Sequence, residues 1–150
     1  TFSNALSPVQ AATVTKAFEI VQSARGQNLR DLLMTRIGQL HTALTAEGLK
    51  YTGNPSPIVP VLVGDEALAR LVSRRLPALE VIANLVEYPA VAKGNARLRL
   101  QMMPTHSLEN VGALAARLRK AIDHAQIEYI QYKASSAEIL TPNAAGVAVA

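Results

Sequence analysis

Apolar residues recur at helical spacing in four stretches of the chain and at strand spacing in a few shorter ones. Helices are predicted from 8 to about 24 and over about 28–47, 66–76 and 107–125. Ser7-Pro8 is typical of a helix start, whereas Arg25-Gly26 and Gly48 are typical of the ends of the first two helices. Strands are predicted at 58–63, 81–86 and about 96–102, with a weakly patterned fourth over 127–130.

This order of elements predicts an α/β fold of the α+β two-layer sandwich type. Two helices precede a compact β-α-β-β-α unit, in which a mostly antiparallel sheet carries helices on one face. Pro60 favours an edge or strand-end position for the first strand, because proline has no N–H to donate to a neighbour. Ser107 or Thr105 is expected to cap the last helix.

The composition of the chain limits the kinds of partner that we expect it to bind. With 150 residues, of which 49% are hydrophobic, the chain fits one domain with a sizeable core. Aromatic residues are only 4% and tryptophan is absent, which argues against a stacking platform for single-stranded nucleic acid. The net charge of +4 comes from scattered basic groups on helices, typical of solvated faces or of attraction for a phosphorylated small molecule. We therefore expect no nucleic-acid partner.

The absence of cysteine excludes disulfides, thiolate metal sites and a cysteine nucleophile, and it is compatible with a cytoplasmic location. No apolar run approaches the roughly 20 residues needed to cross a bilayer, so no membrane partner is expected. Phosphate-binding glycine loops are missing. His41, His106 and His124 lie far apart and predict no metal site. His106 follows a strand, where a capping or packing role is favoured over proton transfer.

The predicted strand at 96–102 carries the most distinctive chemistry. Alternation places Leu98, Leu100 and Met102 on one face and Arg97, Arg99 and Gln101 on the other. An arginine on a rigid strand can hold a carboxylate with two parallel hydrogen bonds. From the pattern alone, the arginine face is equally typical of the solvated side of an antiparallel sheet, and that interpretation is the favoured one.

Four segments, in order, give the chain a family resemblance: Phe2-Ser3-Asn4-Ala5-Leu6-Ser7-Pro8, the stretch 56–65 around Pro57-Ile58-Val59-Pro60, Tyr88-Pro89-Ala90-Val91 before a glycine, and the arginine strand ending in Thr105-His106-Ser107. Over about residues 1–125, the chain resembles the C-terminal part of the α-oxoamine synthase family. These are pyridoxal-phosphate enzymes of the fold-type-I aminotransferase superfamily that condense an amino acid with an acyl-CoA. The resemblance implies linking helices between a large and a small domain at 1–48, the small α/β domain at 49–125, and an extension at 126–150.

The resemblance also implies roles for individual residues. Arg99 would bind the amino-acid carboxylate, and Arg97 would be structural. Ser3, with Asn4 beside it, would reach the pyridoxal phosphate of the neighbouring subunit in a homodimer. The family's Schiff-base lysine lies upstream of the segment that Phe2 begins. Lys16 follows a threonine as that lysine does, but it lies within a predicted helix and lacks the glycines that should follow.

No catalytic residue is therefore expected in this chain, which begins at Thr1 and is predicted to be an inactive fragment of a longer enzyme. Two positions depart from the family pattern. Glu80 stands where a glycine is common, and Ala92 replaces a frequent proline. The competing hypothesis is a stand-alone α/β module that binds a ligand or an acidic partner through its arginine face without catalysis.

Overall fold

The computed structural model describes residues 7–140, and their side chains as far as residue 135. Within this part of the chain, the elements follow in the order α1 (Pro8–Gln22), α2 (Ala24–Ala46), β1 (Ile58–Gly64), α3 (Glu66–Arg75), β2 (Asn84–Val86), β3 (Ala96–Gln101) and α4 (Leu108–Leu140). A 3₁₀ turn, Pro77–Leu79, lies between α3 and β2. None of the described helices is both long and apolar enough to cross a membrane.

The three strands form an antiparallel sheet in the order β1-β3-β2. Leu98 of β3 is paired with Val61 on one side and Leu85 on the other, so β3 is the central strand. Pro60 lies in the edge strand β1, as predicted from its missing N–H. The predicted α+β sandwich with a mostly antiparallel sheet is confirmed.

One face of the sheet is covered by α2, α3 and α4. The alternating residues of β1 and β3 that point to this side join the apolar stripes of the helices in a single core. The largest side chains in it that are almost completely buried are Ile37, Leu40, Leu44, Val59, Val61, Val72, Leu76, Leu98 and Leu118. No helix of the described chain packs on the opposite face of β3, where Arg99 and Gln101 are exposed.

The boundary between α1 and α2 differs from the sequence prediction. α1 ends at Gln22, and Ser23 both closes it and caps α2 by accepting a hydrogen bond from the Gly26 N–H at 3.2 Å. Gly26 is therefore a buried residue in the first turn of α2, and the prediction that Arg25-Gly26 ends the first helix is wrong. A Cβ at this position would collide with the carbonyl oxygens of Ile20 and Val21, so glycine allows the two helix ends to meet.

The predicted strand at 81–86 is too long. Only Asn84–Val86 pairs with β3, opposite Arg97–Arg99. The chain leaves the 3₁₀ turn through Glu80, which adopts the left-handed conformation with φ 57° and ψ 35°. Residues 81–83, which follow this turn, do not join the ladder. The position at which the family pattern commonly has glycine is thus one where a glycine would relieve backbone strain.

The predicted strand over 127–130 is wrong, because α4 continues through it to Leu140 instead of ending near 125. Ser107 accepts a hydrogen bond from the Asn110 N–H at 3.1 Å, as expected for the cap. The extra turns are held against α3: Glu128 forms an ion pair with Arg75, and Tyr129 packs against the core. These tertiary contacts favour the helix over the short β-type pattern of Ile127-Glu128-Tyr129-Ile130.

Candidate substrate-binding site

Arg99 lies at the middle of the open face of the sheet. Its neighbours in register are Pro60 on β1 and Asn84 on β2, neither of which carries a charge. Leu98 and Leu100, the residues before and after it, are buried on the helical side. The alternation predicted from the sequence is therefore confirmed. A strand paired on both sides gives the arginine a rigid base from which its guanidinium projects into solvent.

The Arg99 guanidinium is held by an amide and not by a carboxylate. The end of the Gln101 amide lies 2.6 Å from Arg99 Nη2 and 3.3 Å from Arg99 Nε, and hydrogen bonding assigns the amide oxygen, as the acceptor, to that end. The amide takes this orientation because the opposite one would bring its N–H groups against the arginine donors. Within residues 7–135, no acidic side chain forms an ion pair with Arg99, so its charge is available to a ligand.

Other arginines of the fold bind carboxylate or carbonyl oxygens of the protein itself. Arg70 grips both oxygens of Glu87, with distances of 2.9–3.2 Å, and the pKa of Arg70 is raised by these hydrogen bonds. Arg117 pairs with Glu80 at 3.0 Å. Arg97, two residues before Arg99 on the same face, donates from Nε to the carbonyl oxygen of Asn95 at 3.1 Å. The structural role of Arg97 stays a prediction.

A cleft of about 430 Å³ lies at the end of β3. It opens beside the residues that precede β2, between the segment around Ile82 and the first turns of α4. Gln101 lines this cleft while also contacting Arg99, so the cleft and the arginine share one residue. Ile82 is 98% exposed at its edge. Leu100 and Val111 of the core line the cleft and Arg99 does not, so the cleft lies on the helical side of the sheet and the guanidinium lies on the other side.

His106 also lines the cleft, and its contacts are structural. Its Nδ1 accepts a hydrogen bond from the Met103 N–H at 3.4 Å, and its carbonyl oxygen accepts one from Arg36 Nε at 3.0 Å. The second bond joins α2 to the turn that follows β3. The capping or packing role predicted for His106 is consistent with this geometry, and the part played by Arg36 had no recognisable signal in the sequence.

Asp65 caps α3. Its carboxylate accepts a hydrogen bond from the Leu68 N–H at 3.0 Å, which is the main reason that the pKa of Asp65 is lowered. A hydrogen bond from Tyr129 and the charge of Lys133, both on α4, act in the same direction. Burial opposes these effects. Asp65 is thus a structural carboxylate that joins two helices, with no role in the arginine site.

The remaining predicted site residues do not assemble a cofactor pocket in the described part of the chain. Ser3 and Asn4 lie outside the described residues. Lys16 is exposed on α1 and forms an ion pair with Glu19 at 2.8 Å. No lysine within residues 7–135 is buried, and the same residues include no cluster of three potential metal ligands. They therefore do not fit pyridoxal phosphate, which needs an enclosed lysine for its aldehyde.

Comparison with protein families gives an extended match. Residues 1–118 match the family model described as aminotransferase class I and II. The match ends within α4, which continues for a further 22 residues.

Two individual proteins illustrate the sequence similarity. The chain is 35% identical over 113 residues to an 8-amino-7-oxononanoate synthase of Klebsiella pneumoniae, covering 75% of this chain and 29% of that protein. It is 34% identical over 110 residues to a 2-amino-3-ketobutyrate coenzyme A ligase of Escherichia coli, covering 73% and 27%. The chain thus spans less than a third of the length of these relatives.

Among solved structures, the fold is similar to a serine palmitoyltransferase from S. paucimobilis that holds a PLP–myriocin aldimine. The TM-score is 0.72 at 23% identity, over 84% of this chain and 32% of that one. At this identity, the likeness shows a shared fold alone.

Proposed function

Because the chain belongs to the class I and II aminotransferase family, we propose that it is the C-terminal part of an α-oxoamine synthase and supplies the arginine that binds the amino-acid substrate. Such an enzyme condenses an amino acid with an acyl-CoA. The two relatives described above support this reaction class, since both names belong to it. Residues 1–48 would link a large and a small domain, 49–125 would form the small domain, and 126–150 would be an extension.

The observation that carries the proposal is the free charge of Arg99 on the central strand. Its guanidinium is exposed, has no acidic partner within residues 7–135 and is oriented by a neutral amide. A substrate carboxylate would accept two charge-assisted hydrogen bonds from it. Holding the carboxylate at a fixed point orients the rest of the amino acid, which is how a binding residue lowers the barrier of a reaction elsewhere in the site.

The cofactor chemistry belongs to residues beyond those described. We propose pyridoxal phosphate as the cofactor of the complete enzyme, bound by a lysine outside this chain. Ser3 and Asn4 would contact the cofactor phosphate of the neighbouring subunit in a homodimer. The proposed location is the cytoplasm. The family match favours this enzyme over a stand-alone binding module.

The test is a set of substitutions in the complete enzyme. Arg99→Leu should lower kcat/KM for the amino acid by roughly 10- to 100-fold, since hydrogen bonds to charged groups contribute about 1.5–3 kcal/mol. Arg99→Lys should recover only part of this, because an ammonium retains the charge but not the planar fork. Arg97→Leu is the matched control on the same face and should change kcat/KM less than about threefold. Equal effects at the two positions would contradict the assignment.

A further inference from the structure

We propose that Gln101 is a positioning residue, which turns the Arg99 guanidinium so that its outer edge faces the substrate carboxylate. This inference rests on the proposed function of Arg99. It concerns a side chain that the sequence placed on the arginine face without giving it a role.

The geometry of the contact divides the donors of the guanidinium into two groups. Gln101 Oε1 lies 2.6 Å from Arg99 Nη2 and 3.3 Å from Arg99 Nε, so it occupies the side edge of the planar group. An arginine has five N–H donors in a fixed fork. Three of them, two on Nη1 and one on Nη2, remain free, and one from each of these nitrogens lies on the outer edge. That edge presents the parallel pair of N–H groups that a carboxylate accepts end-on.

The strand fixes the spacing between the two side chains. Residues i and i+2 of a strand point to the same face, and β3 is paired with β1 at both positions, through Pro60 opposite Arg99 and Ile58 opposite Gln101. The Met102 N–H, donated to the Pro57 carbonyl oxygen at 2.7 Å, extends this pairing beyond the strand end. Gln101 therefore holds the flexible arginine from a backbone that is itself held in place.

A neutral amide suits this role better than a carboxylate. Glutamate at the same position would orient Arg99 equally well, but its charge would compete with the substrate for the guanidinium. Glutamine provides the acceptor oxygen and leaves the charge of Arg99 uncompensated. Ordering the arginine before the substrate arrives also removes part of the entropy that binding would otherwise cost.

The first test measures kinetics in the complete enzyme. Gln101→Leu should raise KM for the amino acid about 10-fold, while KM for the acyl-CoA and kcat at saturation stay within twofold. Gln101→Glu should raise KM for the amino acid further, because the acceptor is kept and a competing charge is added. A Gln101→Glu variant with wild-type KM would overturn the inference, as would a Gln101→Leu variant that loses kcat and acyl-CoA binding equally.

A double-substitution cycle separates positioning from an independent role. In an Arg99→Leu background, Gln101→Leu should have no further effect on KM for the amino acid, because the group it positions is gone. Additive effects would show that Gln101 acts without Arg99 and would refute the inference. If Arg99→Leu itself leaves KM unchanged, the proposed function fails first, so the two failures are distinguishable.

The second test requires no catalysis. In ¹⁵N-arginine-labelled protein, the Nε–Hε signal of Arg99 should exchange with solvent severalfold faster in Gln101→Leu than in the wild type. The corresponding signal of Arg97, which donates to Asn95, serves as an internal control and should not change. An Arg99 signal that is unaffected by the substitution would show that the amide does not hold the guanidinium.

Discussion

Replacing Glu80 tests the backbone conformation that shapes the cleft edge. Glu80 has φ 57° and ψ 35°, the left-handed region that costs a residue with a Cβ about 1–2 kcal/mol. Glycine avoids this cost but loses about 0.5–1 kcal/mol more backbone entropy on folding. The difference predicts that Glu80→Gly is more stable than Glu80→Ala by about 0.5–1 kcal/mol. Comparing two variants that both lack the carboxylate removes the Arg117 ion pair from the result.

The ion pair itself should matter little. The Glu80 side chain is 79% exposed, and such pairs contribute about 0.2–1 kcal/mol. The free energy of unfolding of Glu80→Gln, measured by urea denaturation and circular dichroism, should therefore differ from that of the wild type by no more than about 1 kcal/mol. In thermal unfolding, the Tm of Glu80→Gly should exceed that of Glu80→Ala by about 2–4 °C for each kcal/mol by which their free energies of unfolding differ.

The control for the glycine effect is Gly38, which lies in the interior of α2 with open space around the position of a Cβ. There the order of the two residues should be reversed: Gly38→Ala should stabilise the protein by up to about 1 kcal/mol. If alanine is at least as stable as glycine at position 80 as well, the left-handed strain argument is refuted.

Two further substitutions test the helix junctions. Gly26→Ala should destabilise the fold by about 1–3 kcal/mol in urea denaturation, because the added Cβ meets carbonyl oxygens of α1. Gly38→Ala on the same helix should not destabilise the fold. Equal effects of the two substitutions would contradict the close approach of the helices at Gly26. Asp65→Ala should cost about 1 kcal/mol at pH 7 through loss of the α3 cap. Since the pKa of Asp65 is lowered by folding, this stabilisation is fully present above the unfolded pKa of about 3.9 and is lost as the pH falls through the lower folded value. A difference in stability between wild type and Asp65→Ala that does not shrink as the pH is lowered below the unfolded pKa would show that the carboxylate charge is not involved.

Sequence patterns correctly predicted those elements whose structure depends only on which of their own residues are buried and which are exposed. The alternation along β3 placed Leu98 and Leu100 in the core and Arg99 outside, since a one-residue shift would expose the whole apolar set. The cap at Ser107 was recognisable because it satisfies an N–H group within the same turn.

The wrong predictions concern segments whose structure depends on contacts with residues far away in the sequence. The β-type pattern of residues 127–130 is overridden by contacts to α3, such as the ion pair of Glu128 with Arg75, which sequence spacing does not reveal. Gly26 has the sequence signature of a helix end, yet it provides room for a neighbouring helix. Likewise, the link between Gln101 and Arg99 depends on how two flexible side chains orient over a formed strand.

The availability of Arg99 follows from where the ion pairs of the fold are made. Arg70 and Arg75 project from α3, where Glu87 and Glu128 lie within reach of their guanidinium groups. Arg99 projects from the opposite face of the sheet, between proline and asparagine on the neighbouring strands. Its carboxylate partner is therefore missing because of the topology, not because of the length of its side chain. A strand pairing that placed an acidic residue opposite Arg99 would neutralise it. Asn84→Asp makes that change at one atom and should weaken amino-acid binding in the complete enzyme.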